Sequence, residues 1–165
     1  MLKKTSLIII FSIIACLSNG QSLTFGMLSS TDIGSNFNHL SPQQLLDIAN
    51  YYRIIHNTDA ALAYYNWLIN TTSQSADSDD QTRVLEAYNF SALIHYNMCD
   101  YRTAYELLLK ALHLSEISDN IEFTSRIYTN KGNIFYRFNE YDLAKSYYSR
   151  TALLKCTDHE YVVHL

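Results

Sequence analysis

The sequence predicts an all-α protein: an α-α superhelix (solenoid) of three helical hairpins followed by a short C-terminal helix. Three observations carry that expectation. The 165 residues include only 4 Gly and 1 Pro, too few breakers for a turn-rich β design. Apolar residues recur at helical spacing over six stretches separated by brief polar breaks. Finally, "CDYRTAYELLLKAL" at 99–112 is answered by "NEYDLAKSYYSR" at 139–150, with Tyr141 standing 40 residues after Tyr101.

The first 20 residues read as a signal peptide. "MLKK" is basic, "SLIIIFSIIACL" is apolar and uncharged, and "SNGQS" is small and polar. The apolar core falls short of the roughly 20 residues needed to span hydrocarbon. Two processing routes stay open. Ser18 and Gly20 suit cleavage before Gln21, whereas "IIAC" at 13–16 resembles a bacterial lipobox in which Cys16 would be lipidated. Residues 21–40 have no sustained period and read as a flexible lead-in.

Regularity starts at Ser41, a good N-cap, with Pro42 fitting the first helical position. The first hairpin is "PQQLLDIANYYRII" and "TDAALAYYNWLIN", residues 42–70, broken at His56 and Asn57. A polar, acidic loop is expected at 71–80. The second hairpin spans 81–116 with its turn at "CD", and the third spans 120–155 with its turn at "NE". Residues 156–165 read as a partial capping helix or the start of a truncated next repeat.

Aligned, the hairpins place Ala61, Ala104 and Ala144 at one position, and Tyr65, Leu108 and Tyr148 one turn later. In the preceding helices Ala49, Ala92 and Gly132 coincide, as do Leu45, Tyr88 and Tyr128. Small residues where helices cross let the axes approach, and large ones fill the remaining space. Most of the 14 Tyr fall on repeat positions and are expected to pack, ring inward and hydroxyl outward. The pattern, clearest in "KGNIFYRFNEYDLAKSYYSRTAL" and "MCDYRTAYELLLKAL", resembles the tetratricopeptide repeat (TPR), as an exported bacterial member. The period of 40 to 43 exceeds the family's usual value of about 34, which longer helices and outer loops account for.

No catalytic signature is present: no G-x-S-x-G, P-loop, G-x-G-x-x-G or H-E-x-x-H. His159 and His164 fall on different sides of a helix, and Asp77, Asp79 and Asp80 lack the Gly and Glu of an EF-hand loop. Cys99 and Cys156 read as separate thiols. The expectation is therefore no enzyme, no metal and no cofactor. A net charge of −4 gives no footprint for nucleic acid.

The resemblance implies a concave groove lined by the first helix of each hairpin, which binds a protein or peptide partner. The candidate groove residues are Asn50 and Arg53, then Asn89, Tyr96 and Asn97, then Arg126, Asn133, Tyr136 and Arg137. Asn can pair with both groups of a peptide bond, and Arg can hold a carboxylate bidentately. The family's carboxylate clamp is not expected, because Leu46, Phe90 and Asn130 occupy three of its five places. The implied role is a binding scaffold of the periplasm or cell envelope, attached to the membrane only if Cys16 is lipidated. Its alternatives are a TPR lipoprotein, or the periplasmic sensor region of a histidine-kinase or DNA-binding regulator. Self-association through the last hairpin is also expected.

Overall fold

The computed structural model describes residues 40–163, with side chains to residue 154. The leader at 1–20, Cys16, nearly all of the lead-in and the side chain of Cys156 lie outside the described residues. Six helices follow in order: α1 (Pro42–Ile54), α2 (Thr58–Thr72), α3 (Ser78–Asn97), α4 (Tyr101–Ile117), α5 (Ile121–Arg137) and α6 (Tyr141–Val163). There is no strand among the described residues.

Side chains start most of these helices. Ser41 and Gln44 form a reciprocal capping box, the Ser41 hydroxyl accepting from the Gln44 amide at 3.2 Å and the Ser41 amide donating to Gln44 Oε1 at 2.9 Å. Asn57, Asp100 and Asn120 each accept from the amide three residues on, at 3.2, 3.2 and 3.1 Å.

Four of the five connections are the same device. His56, Cys99, Asp119 and Asn139 take positive φ values of 61, 63, 50 and 62°. The next residue's amide then reaches five residues back, as in Asn57 to Tyr52 O and Asp100 to His95 O (both 2.9 Å), Asn120 to Ser115 O (2.8 Å) and Glu140 to Phe135 O (3.0 Å). This is the Schellman closure, built here without glycine. In three of the four, that same residue caps the following helix with its side chain. One residue thus ends one helix and begins another, which makes three residues between helices enough for a reversal.

The remaining connection, residues 73–77, is shorter than the expected loop at 71–80. Thr71 and Thr72 belong to α2, and the acidic run opens α3. Asp77 Oδ1 accepts from the amides of Asp79 and Asp80 at 2.8 and 3.1 Å, and Asp79 and Asp80 complement the positive helix end. A second difference lies at the other end. The separate terminal helix expected at 156–165 is instead a continuation of α6, which runs unbroken to Val163. The stretch "CTDHEYVV" contains no Gly, Pro or Asn to stop it.

Each helix packs against the next. The first helices also touch in succession, α1 with α3 and α3 with α5, whereas α2, α4 and α6 do not approach one another among the described residues. Ala61, Ala104 and Ala144 are fully or almost fully buried, as are Ala49 and Ala92. At Gly132 the approach is closest. A Cβ there would lie 2.5 Å from the Tyr148 ring, so only Gly fits under that ring as it stands.

Side-chain contacts recur with the same spacing. Tyr65 donates to Asn50 Oδ1 at 2.6 Å, and Tyr148 donates to Asn133 Oδ1 at 2.8 Å. The middle hairpin has Leu93 and Leu108 in those places, an apolar pair replacing a polar one. Tyr52 stacks on Tyr64 at 5.6 Å as Phe135 stacks on Tyr147 at 5.4 Å. The central core unites α3, α4 and α5 through Leu85, Leu108, Phe123, Ile127 and Ile134. Beside it Lys131 is buried, its ammonium 5.0 and 4.9 Å from the Tyr105 and Tyr147 rings. These two cation–π contacts tie α4, α5 and α6 together.

Candidate functional site: the face of the first helices

A groove of about 560 Å³ lies between α3 and α5, with Leu154 of α6 at its side. Its apolar wall is Leu93, Ile121 and Leu154, and its polar lining includes Asn89, Ser125, Thr129 and Asn130. Two of the candidate residues, Asn89 and Arg126, line it.

Asn130 on α5 donates through Nδ2 to Asn89 Oδ1 on α3 at 2.7 Å. No other hydrogen bond engages either amide among the described residues. The Nδ2 protons of Asn89 and the Oδ1 acceptor of Asn130 therefore remain for a ligand. Together they match the C=O and N–H of a peptide unit. At the rim Arg126 pairs with Glu122, and its guanidinium sits 5.0 Å from the Phe123 ring. Glu86, on the same side of α3, has its carboxyl pKa raised by burial, with Arg126 opposing.

A smaller cleft continues beside the groove, lined by Leu93, Tyr96, Asn130 and Asn133 among others. Asn133 is already engaged by the Tyr148 hydroxyl, just as Asn50 is by Tyr65. Burial pushes the Tyr65 hydroxyl up to about 12, with the Arg53 guanidinium opposing. Tyr96 packs edge-on against Tyr101 at 5.4 Å, and Tyr136 repeats this with Tyr141 at 5.4 Å. Asn97 and Tyr136 are exposed and line neither cavity.

Arg53 lies 4.2 Å above the Phe90 ring, its Nε buried without a hydrogen-bond partner. Arg137 lies 5.9 Å from the Tyr96 ring, and Tyr101, then Tyr96, hold its guanidinium pKa above the ordinary value. Both arginines thus reach from α1 and α5 onto aromatic rings of α3.

Compared with known proteins, the chain matches no family model, no curated protein and no solved structure.

Sequence reasoning placed Asn89 and Arg126 at the groove but missed Leu93, Thr129 and Asn130. Repeat equivalence contained the signal, since Asn130 falls where Phe90 stands one hairpin earlier and Leu93 where Asn50 and Asn133 stand. The described residues hold no group of three or more His, Cys, Asp or Glu able to hold a metal ion. Among them, no helix is long and apolar enough to cross a membrane.

Proposed function

We propose that this chain is a tetratricopeptide-like solenoid that binds an extended protein or peptide segment along the face of α1, α3 and α5, with no chemistry of its own. The observation that carries the reading is the α3–α5 groove, whose Asn89–Asn130 pair leaves a donor and an acceptor beside an apolar wall. The packing order supports it too. First helices that touch in succession while second helices stay apart make a stack that curves towards the first-helix face. The recurrent turns, alanines and Tyr–Asn bonds support the repeat. The leader-like start supports a location outside the cytoplasm, in the periplasm or cell envelope.

Panning a randomised dodecapeptide library on the full chain tests the binding face. Leu93 and Leu109 are similarly exposed, at 38% and 43%, but only Leu93 lines the groove. Recovery is expected to fall at least tenfold with Leu93→Arg and to hold with Leu109→Arg on α4. Equal recovery from both variants contradicts the groove.

A further inference from the structure

The first-helix face is divided by charge. Its carboxylates, Asp47, Glu86 and Glu122, all stand in the N-terminal halves of α1, α3 and α5. The C-terminal halves, "ANYYRI", "YNFSALIHYN" and "NKGNIFYR", contain no acid at all. They carry Arg53 and Arg137, each in the last turn of its helix.

These two arginines differ from the others near the face. Arg83 pairs with Asp80 at 3.0 Å and Arg126 pairs with Glu122. Asp100, the acid that follows α3, is occupied by the Thr103 amide at 3.2 Å and by His95 at 3.1 Å. No carboxylate lies within 4.0 Å of Arg53 or Arg137 among the described residues. Both guanidiniums are instead held over α3 rings, Phe90 and Tyr96.

Stacking uses the flat face of a guanidinium and leaves its edge for polar partners. On the edge of Arg53 the buried Nε has no partner, while the Tyr65 hydroxyl is the guanidinium's polar neighbour. A buried donor in that state is stabilised by an acceptor brought from outside, and a carboxylate suits a guanidinium edge best. A last-turn position also favours the helix dipole. Tyrosine hydroxyls are the polar neighbours of both guanidiniums, Tyr65 at Arg53 and Tyr101 and Tyr96 at Arg137, so no charged partner is present at either among the described residues.

We infer that the ligand of this face is an acidic polypeptide segment whose carboxylates are received by Arg53 and Arg137. The inference rests on the groove reading and adds the partner's chemistry. Phe90 and Tyr96 are six residues apart on α3, a rise of about 9 Å. The two guanidiniums thus flank α3, Arg53 from the α1 side and Arg137 from the α5 side. The Asn89–Asn130 pair then takes a backbone unit of the same segment.

The test sequences the dodecapeptides recovered by the full chain and by Arg53→Gln, Arg137→Gln and the double variant. The expected wild-type pool is enriched at least threefold in Asp and Glu, and its peptides lose affinity between 50 and 500 mM salt. Arg137 is exposed, so Arg137→Gln keeps the fold and by itself lowers the enrichment. Melting curves followed by circular dichroism check that Arg53→Gln is folded. A pool recovered with no acidic preference, or a preference that survives in the double variant, overturns the inference and leaves the groove standing. No recovery at all overturns both.

Discussion

The junction of α1 with α3 and that of α3 with α5 use equivalent positions of successive hairpins, yet they are filled differently, and the 560 Å³ groove lies at the second. At the first, the Phe90 ring stands 6.1 Å from Tyr65 and carries Arg53, so side chains fill the space. At the second, Asn130 replaces that ring, bonds Asn89 and leaves a cavity of about 560 Å³. Backbone geometry is repeated while one change of side-chain volume decides how the space between the helices is filled. A repeat therefore fixes where a site can be, and its variable positions fix whether it is there.

The largest effect is expected at the filled junction. Phe90→Ala removes the ring between Tyr65 and Arg53 and should destabilise the fold by about 2 kcal/mol, since the ring is only partly buried. Asn130→Ala loses one hydrogen bond, and about 1 kcal/mol is expected. Urea titrations of the two variants side by side check the difference, and equal losses would erase the contrast between the junctions.

Asn130→Phe should copy the first junction into the second. Peptide recovery is expected to fall at least tenfold, with the melting temperature little changed. Recovery at the wild-type level would mean that the groove is not where peptide binds.

Gly132→Ala sharpens the comparison among hairpins, because Ala49 and Ala92 occupy the same position without difficulty. The new Cβ must displace Tyr148 and with it the bond to Asn133. A loss of about 1 kcal/mol is expected, although Ala is the better helix former by about that amount. In a Tyr148→Ala background the sign should reverse, and a double-mutant cycle measures this.

The smallest effect concerns acid. Hydrogen bonds from Thr103 and from His95 hold the Asp100 carboxyl below its ordinary 3.8. A lowered folded-state pKa gives stability that is present above the unfolded value and lost as pH falls through the folded one. The melting difference between the wild type and Asp100→Asn should thus be full above about pH 4 and shrink below it. A difference that grows on acidification would contradict this.

The helices were legible because small and large residues recur in register. Ala61, Ala104 and Ala144 are buried as that register requires. The turns were placed correctly at "HN", "CD" and "NE", but their left-handed residues were not legible, since none is glycine. The acidic run at 77–80 read as loop because its charge masked a capping role that only the Asp77 geometry reveals. Of the candidate site, Asn89 and Arg126 could be read from helix position alone. The Asn89–Asn130 bond could not, since it joins residues 41 apart and depends on how closely α3 and α5 lie. Likewise, the engagement of Asn50 and Asn133 by tyrosines follows from packing within their own hairpins.

Amide chemical-shift mapping of the full chain with a peptide selected from the library tests the central claim most directly. The expected perturbations centre on Asn89, Leu93, Thr129 and Asn130, and extend to Arg53 and Arg137 when the peptide is acidic. Perturbations confined to the outward face of α4, around Leu109, would contradict it.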